Sequence, residues 1–233
     1  MSETKDSQLV TVRRREKEKV QRKRAILRAA QQLFFKKGFK SVTVASIAKQ
    51  AKLSKGAVYL YFKSKEEIYA QILLSDIEKF NEKVFDVVET DGNATSMMFN
   101  FSDIYIDFFL NQRELFRILM TYMLHTDDLN FSADMNRQMI QETNKTIEVV
   151  DRILKHGSDT GEYSSKNDII KIRNVVWGLL NGIISLHLFA GKESTREERI
   201  RSHVSEGLKV FIEGLKSPIA IRMIPEDNER RVL

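Results

Sequence analysis

The chain has 233 residues, with 38 Lys and Arg, 32 Asp and Glu, two Pro and no Cys, which excludes disulfides, thiolate nucleophiles and Cys-type zinc sites and favours an all-α fold. The net charge of +6 hides a split: residues 1 to 65 hold 18 Lys and Arg against 4 Asp and Glu, a surplus of 14, whereas the remainder holds 20 against 28, a deficit of 8. A basic head on an acidic body predicts a polyanion, nucleic acid above all, bound at one end only.

In chain order, residues 1–12 are polar and aperiodic and are expected to be flexible. With Arg13-Arg14-Arg15 they make a basic arm, residues 1–15, suited to a minor groove or to phosphates unless it is simply a frayed helix start. The pattern of Ile26, Ala29, Ala30, Leu33 and Phe34 predicts a first helix from about Glu16 to Lys37, ended by Gly38. Thr43 can cap a short second helix whose Val44, Ile47, Ala48 and Ala51 share one face, and Ser54 can cap a third. Val58 and Phe62 point inward from that third helix, which leaves Lys55, Ala57, Tyr59 and Tyr61 on or near its outer side. A cation, hydroxyls and a small side chain suit a helix laid in the DNA major groove. Ser54 and the free N–H groups of the first turn suit a phosphate oxygen.

Ser64-Lys-Glu-Glu67 is a capping box that starts a helix reaching to about Glu89, with Ile68, Ile72, Leu73, Phe80, Val84 and Val87 inward. Asp91-Gly92-Asn93 is a turn signal. Beyond it, helical patterns lie at about 94–110, 112–125, 130–157, 167–191 and 195–216, with a break at Gly157 to Gly161 and no internal repeat. The 17 uncharged residues from Val175 to Gly191 are short for a membrane span and carry Asn181, Ser185 and His187, so a helix buried on most sides is expected. Its Gly178 and Gly182 can admit another helix closely. Ile200, Val204, Leu208, Phe211, Ile212 and Leu215 form a single stripe on the last helix, which a capping signal at Ser194 to Glu198 begins. Residues 217–233 hold both prolines and read as a tail.

Residues 22 to 69 resemble the DNA-binding domain of the TetR family of bacterial transcriptional regulators. The resemblance is carried by Ala25-Ile26-Leu27-Arg28-Ala29-Ala30, Leu33-Phe34, Gly38-Phe39, Thr43, Ile47-Ala48, Leu53-Ser54-Lys55-Gly56, Val58-Tyr59, Tyr61-Phe62 and Lys63-Ser64-Lys65-Glu66-Glu67. It implies a three-helix DNA-binding domain, here residues 16–65, followed by a larger helical effector-binding and dimerisation domain, residues 66–216. It also implies phosphate contacts from Thr43, Tyr59 and Lys65, and Ala45 and Gly56 complete the DNA-facing set. Where relatives usually carry glycine in the turn this chain has Lys52, which predicts a residue held at positive φ at a cost on the order of 1 kcal/mol. Ala57 stands where many relatives have Thr or Ser. In the family the last two helices form a four-helix bundle between subunits, which assigns Gly178, Gly182, Leu186, Val204, Leu208 and Phe211 to a homodimer interface.

The body is rich in soft apolar residues. Met98, Phe101, Tyr105, Phe108, Met120, Met123, Leu124, Trp177 and Asn181 are candidates for lining a pocket, although such stripes are more often plain core. The resemblance implies a small effector, and the scarcity of charge in these runs points to a hydrophobic one. The four scattered histidines give no metal signature, no phosphate loop or nucleophile elbow is found, and no cofactor is expected. The N-terminus lacks a signal-peptide core, so the chain is expected to be cytoplasmic and to need no membrane. These features together predict a homodimeric repressor of a palindromic operator, released by a small hydrophobic effector and not an enzyme. The alternatives are an activator, a nonspecific DNA binder, or a helical lipid carrier or enzyme with an incidental basic head.

Overall fold

The computed structural model describes residues 3–112, 131–189 and 192–216, and every regular element among them is helical. In chain order these are α1 (Glu3–Lys37), α2 (Val44–Gln50), α3 (Lys55–Tyr59), α4 (Lys65–Glu89), α5 (Ala94–Asn111), α6 (Ala133–Asp159), α7 (Ile169–Phe189), a 3₁₀ turn (Glu193–Thr195) and α8 (Arg196–Lys216). The helix expected at 112–125, with Met120, Met123 and Leu124, lies outside the described residues, as does the tail 217–233. Contacts divide the described residues into two compact units, those within 1–81 and 112–144 and those within 82–111 and 145–233.

In the first unit Ile26, Ala29, Ala30 and Phe34 of α1 are buried together with Ile47 and Ala48 of α2, Val58 of α3, Phe62, and Ile68 and Tyr69 of α4. Leu33 is only half-buried. The rings of Phe34, Phe39 and Tyr69 pack on one another, with Phe39 and Tyr69 centroids 4.5 Å apart. That cluster holds the turn at Gly38, whose φ of 73° ends α1 as its sequence suggests. α1 starts at Glu3, well before Glu16, so the arm expected to be flexible is helical from that residue. No Gly or Pro occurs between residues 3 and 37, so no breaker stops the helix from propagating.

Thr43 caps α2 as expected: the Ser46 amide donates to Thr43 Oγ1 at 3.2 Å, and the Thr43 amide donates to Ser46 Oγ at 3.1 Å. At the other end Lys52 has φ 56°, and among the described residues no other non-glycine residue has a positive φ. Its amide donates to the Lys49 carbonyl at 3.2 Å and the Leu53 amide donates to the Ala48 carbonyl at 2.9 Å. Both hydrogen bonds of a left-handed helix stop are therefore made around a side chain that disfavours it. Lys52→Gly is expected to raise stability by about 0.5–1 kcal/mol, the relief of left-handed strain exceeding the added chain entropy. Equilibrium urea unfolding checks this, and an unchanged or lower midpoint would contradict it.

α4 begins with the Glu67 amide donating to Ser64 Oγ at 3.1 Å, but the Glu67 carboxylate accepts from the Lys63 amide, at 2.5 Å, instead of from Ser64. The Ser64 half of the capping box is thus made in register, and the Glu67 half reaches one residue further back. Ser194, expected to cap the last helix, lies inside the 3₁₀ turn that precedes α8.

In the second unit α5 buries Met97, Met98, Phe101, Tyr105, Ile106 and Phe109, and α7 buries Ile172, Val176, Leu180 and Ile184. α8 packs against both helices. α7 is not buried on most sides: only 22% of Ile169–His187 is, although that stretch is long and apolar enough to cross a membrane by length and composition. Val175, Gly178, Gly182 and Leu186 are exposed. Among the described residues nothing lies within 4 Å of a Cβ built on Gly178 or Gly182, whereas one built on Gly207 of α8 would stand 3.3 Å from Leu179 Cδ1 of α7. The expected dimer set needs a second correction. Val204 and Leu208 are 1% and 0% exposed, so their side chains pack in the chain's own core.

Candidate nucleic-acid interface

α3 is five residues long, and its geometry follows from two anchors and a cap. Val58 and Phe62 are buried, and Ser54 Oγ accepts the Ala57 amide at 3.1 Å. With about 100° between successive residues, Gly56 and Leu60 fall on the side facing away from Val58, with Tyr59 and Lys55 on one flank, and all four are exposed. The Lys55 ammonium stands 5.8 Å from the centre of the Tyr59 ring, a cation–π contact that holds both side chains on one flank of the strip. Gly56 lies at the strip's centre and Leu60 on its other flank.

Two expected outer residues sit elsewhere. Ala57 and Tyr61 are half-buried: Ala57 lies on the flank opposite Tyr59, and Tyr61 lies past the C-cap Leu60. Leu60, which sequence reading left out, is 82% exposed. The same helical wheel that turns Val58 and Phe62 inward carries the signal for it, since Leu60 is the residue between them.

Around the strip, Thr43 and Ala45 are exposed at the start of α2, and Ser54 is exposed at the start of α3. The Thr43 and Ser54 oxygens already accept backbone N–H groups, at 3.2 and 3.1 Å, so each meets a phosphate only as a hydroxyl donor. Lys65 has a second duty. Its ammonium donates to the Phe39 carbonyl at 3.0 Å and lies 4.2 Å from the centre of the Phe39 ring, which leaves two of its three N–H donors. Gly56 does not owe its glycine to the fold: its φ is not positive, and a Cβ built there would meet only Ser54 Oγ, at 4.0 Å.

Among the body candidates the structure brings Phe101, Tyr105, Trp177 and Asn181 together. Tyr105 and Trp177 ring centres are 5.1 Å apart and those of Phe101 and Tyr105 5.8 Å. The Tyr105 hydroxyl donates to Asn181 Oδ1 at 2.8 Å, and Asn181 Nδ2 donates to the Trp177 carbonyl at 3.0 Å. Burial pushes the Tyr105 phenol far above its usual range, only partly offset by the bond to Asn181. Met98 is wholly buried and Phe108 packs on Phe109, with centres 5.7 Å apart. The indole N–H of Trp177 is buried and meets no acceptor. Among the described residues no group of three or more His, Cys, Asp or Glu side chains is placed to hold a metal ion.

Residues 26–72 match the model of the bacterial regulatory proteins of the tetR family. The chain is 25% identical over 192 residues to the HTH-type transcriptional regulator QacR of Staphylococcus aureus, covering 82% of this chain and 96% of that one. It is 25% identical over 161 residues to the fatty acid metabolism regulator protein of Bacillus subtilis, covering 69% and 80%. Its fold is similar to that of the transcriptional regulator FadR from Bacillus subtilis, solved in complex with stearoyl-CoA, with a TM-score of 0.64, 19% identity and coverage of 82% and 97%. It is likewise similar to the TetR-family regulator PfmR from Thermus thermophilus, with a TM-score of 0.63, 22% identity and coverage of 82% and 99%. A helix-turn-helix head of this sequence and shape, followed by a helical body, places the chain in the TetR family of DNA-binding transcriptional regulators.

Proposed function

We propose that the protein is a homodimeric, cytoplasmic repressor whose two α3 helices read a palindromic operator and whose affinity for it falls when a small hydrophobic effector binds the body. The observation that carries the proposal is the exposed strip of Lys55, Gly56, Tyr59 and Leu60 on a short, doubly anchored helix, within a head carrying a surplus of 14 positive charges. Two such helices related by a twofold axis and spaced about 34 Å apart meet successive major grooves. Thr43, Ser54, Tyr59 and Lys65 hold phosphates and fix the register, while Lys55 faces base edges, where an ammonium meets the O6 and N7 acceptors of guanine.

Selection from random duplexes tests this reading. The wild-type protein enriches an inverted repeat, and Lys55→Ala loses about 1–3 kcal/mol on that repeat with little change on random DNA. Equal losses on both, or no enriched repeat, would count against it.

Gly56 offers a separate check, because its fold and function effects have opposite signs. Gly56→Ala is expected to stabilise the free protein by about 0.5–1 kcal/mol, as alanine does in a helix. The added methyl holds the backbone off the groove floor, so duplex affinity falls by about 1.4 kcal/mol, tenfold. Thermal unfolding and duplex titration read the two effects, and a variant that is stabilised yet binds as the wild type does would remove Gly56 from the interface.

For the effector, support comes from the cluster of Phe101, Tyr105 and Trp177, from the unpaired indole N–H, and from the stearoyl-CoA carried by a structural neighbour. These favour a ligand with a long or aromatic apolar body and one hydrogen-bond acceptor for Trp177. The effector acts by linkage, favouring a spacing of the two heads that the operator does not.

A further inference from the structure

We infer that Leu60 determines sequence specificity by reading the 5-methyl group of a thymine in each operator half-site. This deepens the proposed function and rests on it. The exposed face of α3 limits what it can recognise. Its members are Lys55, Gly56, Tyr59 and Leu60. No Asn or Gln is present to pair with adenine N6 and N7, no Asp or Glu to accept from cytosine N4, and no Arg to fork onto guanine. Lys55 can reach guanine acceptors as a single point charge, and its cation–π contact at 5.8 Å from the Tyr59 ring centre keeps it on one flank. The hydrogen-bonding code of the major groove is therefore read sparsely. The one remaining feature that distinguishes a base there without hydrogen bonds is the thymine methyl.

Leu60 has the chemistry and the position for that methyl. It is 82% exposed while Val58 and Phe62 on either side are 0% and 2% exposed, so the chain's own core makes little use of its side chain. It forms the C-cap of α3 with right-handed helical φ and ψ of −69° and −19°, which fixes the direction of its side chain. The bare backbone at Gly56 beside it, where a Cβ would meet only Ser54 Oγ, lets this face approach the groove floor. An isobutyl group held there buries apolar surface only against another apolar group, and thymine supplies the sole methyl in the groove.

The test replaces each thymine of the selected operator, one position at a time, with deoxyuridine, which lacks only the methyl. Affinity is measured for the wild type, for Leu60→Ala and for Leu60→Met. One thymine per half-site is expected to cost the wild type about fourfold on demethylation, from the value of about 0.8 kcal/mol per buried methylene-sized group, and about fifteenfold when both half-sites are changed. Leu60→Ala should bind the thymine and uracil duplexes equally, whereas Leu60→Met should keep most of the discrimination. If an inverted repeat is selected but no uracil position separates the wild type from Leu60→Ala, the inference is overturned and the repressor reading stands. If no repeat is selected at all, both fall together.

Discussion

Leu186→Glu is expected to leave the protein folded and monomeric and to weaken its binding to a full operator by about a hundredfold or more, while a single half-site is bound as before. α7 has two apolar sides. Ile172, Val176, Leu180 and Ile184 face the chain's own core, and Val175, Gly178, Gly182 and Leu186 form a second strip roughly a third of a turn away. Leu186 is 68% exposed and Val175 51%. A Cβ at Gly178 or Gly182 would meet nothing within 4 Å, so the backbone between them lies open to another helix. On α8 the exposed Val210 and the half-buried Phe211 add to the same kind of surface. In a twofold interface each substitution enters twice, so two glutamates would be desolvated near one another, at a cost of several kcal/mol. Sedimentation velocity and titration of full and half operators read the outcome. A Leu186→Glu protein that still sediments as a dimer would place the interface elsewhere.

That surface keeps Gly178, Gly182, Leu186 and Phe211 of the set the sequence suggested and leaves out Val204 and Leu208, and the difference shows what a pattern can carry. The stripe of Ile200, Val204, Leu208, Ile212 and Leu215 states that one face of α8 is buried, and it is. A stripe does not state what covers it. Here α5 and α7 of the same chain do, and Val204 and Leu208 pack in its core. α7 gave the opposite difficulty, since a helix apolar all round hides which residues face inward.

The head was more legible because its signals are local. Thr43 and Ser54 cap the helices that follow them, Gly38 ends α1, and Lys52 holds the positive φ its place in the turn requires. Leu60 stands outside the expected outer set, although the buried anchors Val58 and Phe62 on either side of it fix its direction outward. The extra length of α1 is likewise not legible, since a polar, aperiodic sequence free of Gly and Pro neither demands a helix nor stops one.

The largest expected effect on the fold comes from a glycine whose neighbours leave it no alternative. Gly157 lies in the last turn of α6, and a Cβ there would stand 2.8 Å from Tyr163 Cγ and closer still to Cδ2 and Cε2. The ring cannot swing aside. It is buried, the Tyr163 amide donates to the Gly157 carbonyl at 2.9 Å, and its hydroxyl lies 3.5 Å from Thr95 Oγ1. The preceding residue is tied as well, since the Glu162 carboxylate accepts the Ala94 and Thr95 amides at 2.6 and 2.9 Å and so closes the first turn of α5. Gly157→Ala must therefore displace either the ring or the α6 backbone, and is expected to cost about 3 kcal/mol. In a Tyr163→Ala background the obstructing ring is gone, so the same substitution should cost less than about 1 kcal/mol, a coupling that urea unfolding of the four proteins measures directly. Equal penalties in both backgrounds would mean that the clasp between α6 and α5 does not depend on this contact.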